Sequence, residues 1–239
     1  MDNVGYTALT RQSGLMREMQ IVANNIANAA TTGFRQEGLI FAEHVKRMED
    51  GPSLSMASAD VRMTSTVQGG LRQTGGALDL AIEGDGFFLV ETPKGVRLTR
   101  AGAFAFSATG DLVTPDGFRV LDAGGAPVFV PPDAADLGVA ADGTISGDGR
   151  PLAQIGLVMP TDSIGLLRED GVMFRSENGV EPAIGGRILQ GYLEGANVDP
   201  IGQIARMIEV QRAYEMGQSF LDAENERLRT AMQTFISTR

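Results

Sequence analysis

The chain has 239 residues, 43% of them hydrophobic and 21% charged, with a formal net charge of −10 and no cysteine. That is enough for one large domain or two small ones. It excludes disulfides and thiolate chemistry, and an acidic chain without a basic cluster is a poor ligand for nucleic acid or an anionic membrane surface.

The N-terminus, Met1 to Tyr6, lacks a basic region followed by an apolar run, so no cleavable signal is expected. No stretch reaches transmembrane length, and together these features point to the cytoplasm. Residues 1 to about 30 read as a helix. One row runs through Leu9, Met16, Ala23 and Ala30, a second through Gln12, Met19 and Ile26, and Leu15 and Val22 widen the stripe. Thr31-Thr32-Gly33 stops it, because Gly33 can take the left-handed conformation that ends helices.

Residues 36–76 are expected to form an extended or linker segment. Within it, Arg35 to Asp50 can continue as helix, while Gly51 to Gly76 is rich in Ser, Thr and Gly. From about 77 to 198 short apolar runs alternate with Gly/Asp/Pro turns. Strands are predicted around 78–83, 87–90, 96–99, 104–106, 112–113, 118–121, 128–130 and 155–159. Turns are predicted at Pro115-Asp116-Gly117, Ala123-Gly124-Gly125, Asp142-Gly143 and Asn178-Gly179. Such spacing without intervening helices predicts antiparallel β structure, a distorted sandwich or a partly open barrel.

Asp199-Pro200 then signals a helix start, with Asp as N-cap and Pro at the first helical position. One row along this helix is Met207, Tyr214, Leu221, Leu228 and Phe235; the other is Ile204, Gln211, Gln218, Asn225 and Met232. The half-polar second row predicts a seam that trades stability for register. The fold class expected is α+β: long terminal helices, 1–35 and 199–239, form a coiled-coil-like domain flanking a mainly antiparallel β domain. The two helices can pair with each other or with neighbouring subunits.

Little in the chain points to catalysis. His44 is the single histidine, so any Ser-His-Asp triad would have to use it. Metal-ligand spacings are absent, and Gly84-Asp85-Gly86 lacks the third glycine and following helix of a phosphate loop. No catalytic residue, metal or cofactor is expected. Two other classes stay open: an extracytoplasmic β-fold carbohydrate-active enzyme or lectin, and a cytoplasmic coiled-coil adaptor. The absence of Trp and the presence of only three Tyr count against sugar stacking.

Three segments carry a resemblance. Ala23-Asn24-Asn25-Ile26-Ala27-Asn28 through Thr32-Gly33-Phe34-Arg35 resembles the N-terminal signature of flagellar rod and hook proteins. Leu78 to Phe88, with Thr99-Arg100-Ala101-Gly102-Ala103-Phe104 downstream, is similar to their central segment. Gly191 to Pro200, followed by Met207 to Glu215, resembles their C-terminal signature, with one departure at Gln203, where an acidic residue is expected.

The resemblance implies a non-enzymatic subunit of the basal-body rod. Length and the opening Tyr6-Thr7-Ala8-Leu9 with Arg11-Gln12 are most similar to the proximal-rod member, then to the distal-rod member. It implies export by the flagellar type III apparatus without a cleaved signal, and helical assembly into the shaft that crosses the periplasm. Partners would be that apparatus, copies of the chain itself, and the rod proteins FlgB and FlgC of the proximal rod and FlgG of the distal rod. No nucleic acid and no membrane insertion are implied. The residues assigned to the assembly interface are Met19, Asn24, Asn25, Ile26, Asn28, Thr32, Gly33, Phe34 and Asn197. They are joined by Met207, Gln211, Arg212, Tyr214, Gln218, Leu221, Asn225 and Leu228.

Overall fold

The computed structural model describes residues 2–46, 54–162, 165–169 and 171–237. It is an α+β chain whose strands pair antiparallel. Two compact units emerge. A helical unit comprises residues 1–27, 37–63 and 199–239, and a β unit comprises 28–36 and 64–198. No helix among the described residues is long and apolar enough to cross a membrane.

The helical unit holds α1 (Asp2–Ala27), β1 (Glu37–Lys46), β2 (Leu54–Thr64) and α2 (Pro200–Ser237), with β1 and β2 paired as a two-stranded ribbon. The Asp199 carboxylate accepts from Ile201 N at 3.1 Å and its carbonyl from Gln203 N at 3.0 Å. These contacts are the N-cap that the sequence announces. One departure is clear. Where Arg35 to Asp50 leaves a helix open, residues 37–46 form a strand, and His44 lies in it. Ile40, Phe41 and Val45 favour extended backbone, and pairing with β2 supplies the hydrogen bonds that a helix would have made internally. Residues 47–53 of the expected linker lie outside the described residues.

The β unit contains β3 (Leu71–Gln73), β4 (Leu80–Glu83), β5 (Phe87–Thr92), β6 (Gly95–Thr99), β7 (Ala105–Phe106), β8 (Leu112–Val113) and β9 (Arg119–Leu121). It continues with β10 (Gly138–Val139), β11 (Thr144–Gly147), β12 (Arg150–Gln154), β13 (Leu157–Pro160) and β14 (Leu166–Glu169). Last come β15 (Met173–Ser176), β16 (Val180–Pro182), β17 (Arg187–Gln190) and β18 (Tyr192–Glu194). The main sheet runs β14-β15-β6-β5-β9-β8-β7, with β13 bridging β5 and β16. The run expected at 128–130 forms only isolated bridges.

Strand β5 organises this unit. Successive side chains of a strand point to opposite faces. Phe88 and Val90 therefore enter one core with Leu80, Ile82, Phe104, Val120 and Ile188. Phe87 and Leu89 enter a second core with Leu98, Leu121, Val158 and Phe174. Phe88 meets Phe104 edge-on at 5.2 Å and Phe87 meets Phe174 at 5.9 Å, the offset geometry that aromatic quadrupoles favour. A sheet buried on both sides explains why β5 reads as a continuous apolar run.

Candidate functional site

In the helical unit α1 and α2 run antiparallel, and polar groups fix their register. Gln12 Nε2 donates to Tyr214 O at 3.0 Å, and a Cβ at Gly217 would lie 2.6 Å from the same nitrogen. Glu18, buried in the unit, accepts from Arg206 Nε at 2.7 Å. Hydrogen bonds that Arg206 donates to this carboxylate and to Glu209, working against burial, raise its guanidinium above its ordinary value. Asn25, 1% exposed, donates to Gln203 Oε1 at 3.2 Å. Gln203 thus fills, with a neutral amide oxygen, the position where an acidic residue was expected.

Asn25 also exchanges a pair of bonds with the Glu37 backbone, Nδ2 to O at 2.8 Å and N to Oδ1 at 3.0 Å. This tie explains an asparagine inside a helix, where it is intrinsically poor. The side chain links α1, α2 and the start of β1 in one contact.

The residues of α2 shielded by this pairing are Gln203, Met207, Val210, Tyr214, Gly217, Leu221 and Glu224, at steps alternating four and three. Met207, Tyr214 and Leu221 belong to one predicted row. The other row, Ile204, Gln211, Gln218, Asn225 and Met232, is exposed, as is Arg212. On α1 the shielded stripe includes Leu15, Met19, Val22, Asn25 and Ile26, with Asn24 half-buried, while Leu9 and Met16 are exposed. Taking the same 1.5 Å rise in both helices, Asp2 comes level with about residue 225. Leu228 and Met232 continue the α1-facing side beyond that point and stand 39% and 65% exposed. On the opposite side of α2, Ile201, Ile204 and Ile208 form an exposed apolar row at i, i+3, i+7. The sequence reading omitted Ile201 and Ile208. Their three- and four-residue spacing to Ile204 was the available signal.

The remaining predicted residues lie in the β unit, where a buried ionic node gathers them. Glu194, 1% exposed, takes Arg35 Nη2 on Oε1 at 3.0 Å and Arg100 Nη1 on Oε2 at 3.2 Å, while Oε1 also accepts from Gly69 N at 2.9 Å. Burial pushes the Arg100 guanidinium down to about 10 against the pull of Glu194, and lowers Arg35 for the same reason. Arg35 also donates to the carbonyls of Val67 and Thr66, and Arg100 to those of Gly84 and Ile82. One buried carboxylate against two guanidiniums leaves excess positive charge, which these carbonyl dipoles and the nearby Asp85 carboxylate offset.

Around the node, Asn197 Oδ1 accepts from Gln36 N at 2.6 Å, and its Nδ2 donates to Val67 O and Ser65 Oγ. Phe34 is 1% exposed beneath the Arg168 guanidinium, 4.3 Å from the ring centre. Gly33 sits at φ 70°, and a Cβ there would lie 2.3 Å from Ala101 N, so only glycine fits. Thr31 Oγ1 donates to Asn28 Oδ1 at 3.2 Å; Asn28 and Thr32 are half-buried. Arg35, Arg100 and Glu194 lie within the three family-like segments, and the sequence cue to the node is a charged residue closing the Tyr192–Glu194 strand.

The assigned residues therefore divide. Asn25, Gly33, Phe34 and Asn197 make contacts within their own unit, whereas Gln211, Arg212, Gln218, Asn225 and Leu228 are exposed.

Three family models match the chain: Flagella basal body rod protein over residues 6–35, Flagellar hook protein FlgE/F/G D1 domain over 81–147, and Flagellar basal body rod FlgEFG protein C-terminal over 189–234. Among curated relatives, the chain is 38% identical to the flagellar basal-body rod protein FlgF of Caulobacter vibrioides and 35% identical to that of Rhizobium meliloti. Each match covers 98% of both chains. It is 31% identical to the flagellar basal-body rod protein FlgG of Bacillus subtilis, over 92% of this chain and 94% of that one.

Proposed function

Because the chain belongs to the flagellar basal-body rod protein family, we propose that it works as a structural subunit of the rod, polymerising through the surfaces that α1 and α2 leave uncovered. Similarity to proteins named FlgF over the whole chain favours the proximal rod. The observation that carries the assembly reading is the C-terminal part of α2. Leu228 and Met232 prolong the side that α1 covers, past the level where α1 begins.

An amphipathic helix with an uncovered apolar stripe gains most by adding a helix from a neighbour. The exposed Gln211, Gln218 and Asn225 supply polar groups that favour one register over others, as in a coiled coil. The neighbours are copies of this chain and other rod proteins. Placement in a periplasm-crossing shaft, and export through the type III apparatus without a cleaved signal, follow from the same reading.

The test is the double substitution Leu228→Glu and Met232→Glu in the full chain. Both positions are exposed, so the free subunit keeps its helical signal and melting temperature. Rod assembly and swimming are lost. A strain carrying this variant that builds complete rods and swims normally would refute the proposed surface.

A further inference from the structure

The β unit carries an apolar projection at one end of β5 and an apolar cleft at the other. The projection is Ile184, 94% exposed, at the tip of the β16–β17 connection. Gly185 beside it has φ 100°, and Gly186 lies so close to Asp85 O that an added Cβ would meet it at 2.2 Å. Ala183 N donates to Leu157 O at 3.0 Å. The tip is thus fixed against the Gly84–Gly86 turn that begins β5, and Ile184 is held out rather than left loose.

The cleft lies past the other end of β5, where Thr92, Pro93 and Lys94 turn into β6, with Phe118 and Met173 forming apolar wall and the ion-paired Arg97 and Glu169 completing the lining. Its volume is about 160 Å³. An apolar cavity of about 150 Å³ accepts a benzene-sized group, so a branched aliphatic side chain fits.

We infer that Ile184 of one copy seats in the Thr92–Pro93–Phe118–Met173 cleft of a second copy, a head-to-tail contact between β units. A projection and a cleft at different places on one surface make a heterologous interface, which propagates as an open helix unless the rotation closes it. Charge agrees with a second copy as occupant. Glu181, exposed beside the tip, has no ion-pair partner among the described residues, and Lys94 stands exposed at the cleft rim. Neighbouring Arg187 is already paired with Glu83 at 2.5 Å. The inference rests on the rod reading only in naming another copy of this chain as the occupant. The contact uses residues of the β unit alone.

The chain has no cysteine of its own, so thiols can be placed singly. Full-length Lys94→Cys and Ile184→Cys proteins are mixed under mild oxidation, and association is followed in parallel by sedimentation velocity. Both positions are exposed, and circular dichroism checks that each variant keeps the native fold. The expected result is a mixed disulfide dimer in about tenfold excess over either homodimer, because docking raises the local thiol concentration. Adding Ile184→Asp, a competitor without a thiol that keeps the cleft but lacks the tip, lowers that yield less than unmodified chain does. Association without excess mixed dimer overturns this contact and leaves the rod reading intact. Absence of any association overturns both.

Discussion

The side-chain amide of Asn25 and the backbone of Glu37 exchange two hydrogen bonds, at 2.8 and 3.0 Å, in a site only 1% exposed. The pairing imitates one rung of an antiparallel ladder, with a side chain standing in for a strand. Asn25→Ala leaves a buried N–H and a buried carbonyl unpaired, at about 1–3 kcal/mol each. A loss of about 2–4 kcal/mol from the helical unit is expected. Helical circular dichroism should show an earlier transition while the β unit melts unchanged. An unshifted helical transition would mean that water replaces the amide without cost.

Glu194 should be among the least replaceable side chains of the β unit. Glu194→Gln keeps the shape but leaves Arg35 and Arg100 buried without their paired carboxylate, with only the Asp85 charge nearby. Breaking a buried pair in this way costs about 3–5 kcal/mol. The denaturant midpoint of the β unit should fall with an unchanged m-value, since the surface exposed on unfolding is the same. Equal stability of the variant would show that the carbonyl dipoles and Asp85 suffice to hold both guanidiniums.

A third expectation concerns pH. Burial tends to raise the Glu169 carboxyl, but hydrogen bonds from Arg97 and Arg175, at 2.8 Å each, outweigh it and hold it below its ordinary 4.5. The folded value is depressed. The stabilisation from these bonds is therefore full above about 4.5 and disappears only as pH falls through the lower folded value. Carboxyl titration by NMR should place the Glu169 midpoint under 4.5, and Arg97→Ala should move it back up. A midpoint at or above 4.5 in the unaltered chain would contradict the geometry.

Gly33→Ala tests the end of the N-terminal signature. The residue combines φ 70° with a Cβ clash at 2.3 Å from backbone nitrogen, which cannot rotate away as a side chain does. Left-handed strain and overpacking together cost about 2–4 kcal/mol. Thermal melting should report this in the β unit, and unchanged melting would show that the Ala101 segment shifts freely.

The two terminal helices were legible because their periodicity is long and Asp199-Pro200 marks a start. The side that α2 turns to α1 was less so. Val210 was passed over, and Gln203, Gly217 and Glu224 carry no apolar signal, since they are chosen for hydrogen bonding and close approach. Ile204, by contrast, is apolar yet exposed. The family resemblance assigns Asn25 to the assembly interface, but its partner within the chain, a backbone unit twelve residues on, depends on β1 being a strand. That strand was hidden because its side chains suit either state. β17 was not predicted, since Gln190 donates to Ala77 O and Leu137 O and so serves as a strand residue without an apolar character.

Glu194 also sets a clock. The two arginines it neutralises lie 159 and 94 residues earlier in the chain, and contacts of such separation form late. During synthesis, most of the β unit is made before its central counter-charge exists, so its buried node cannot close on a nascent chain shorter than this. For a subunit exported through the type III apparatus, as proposed above, that delay leaves the β unit without its central ion pairs through most of synthesis. The same carboxylate that locks the finished unit keeps it open until almost the whole chain has been made.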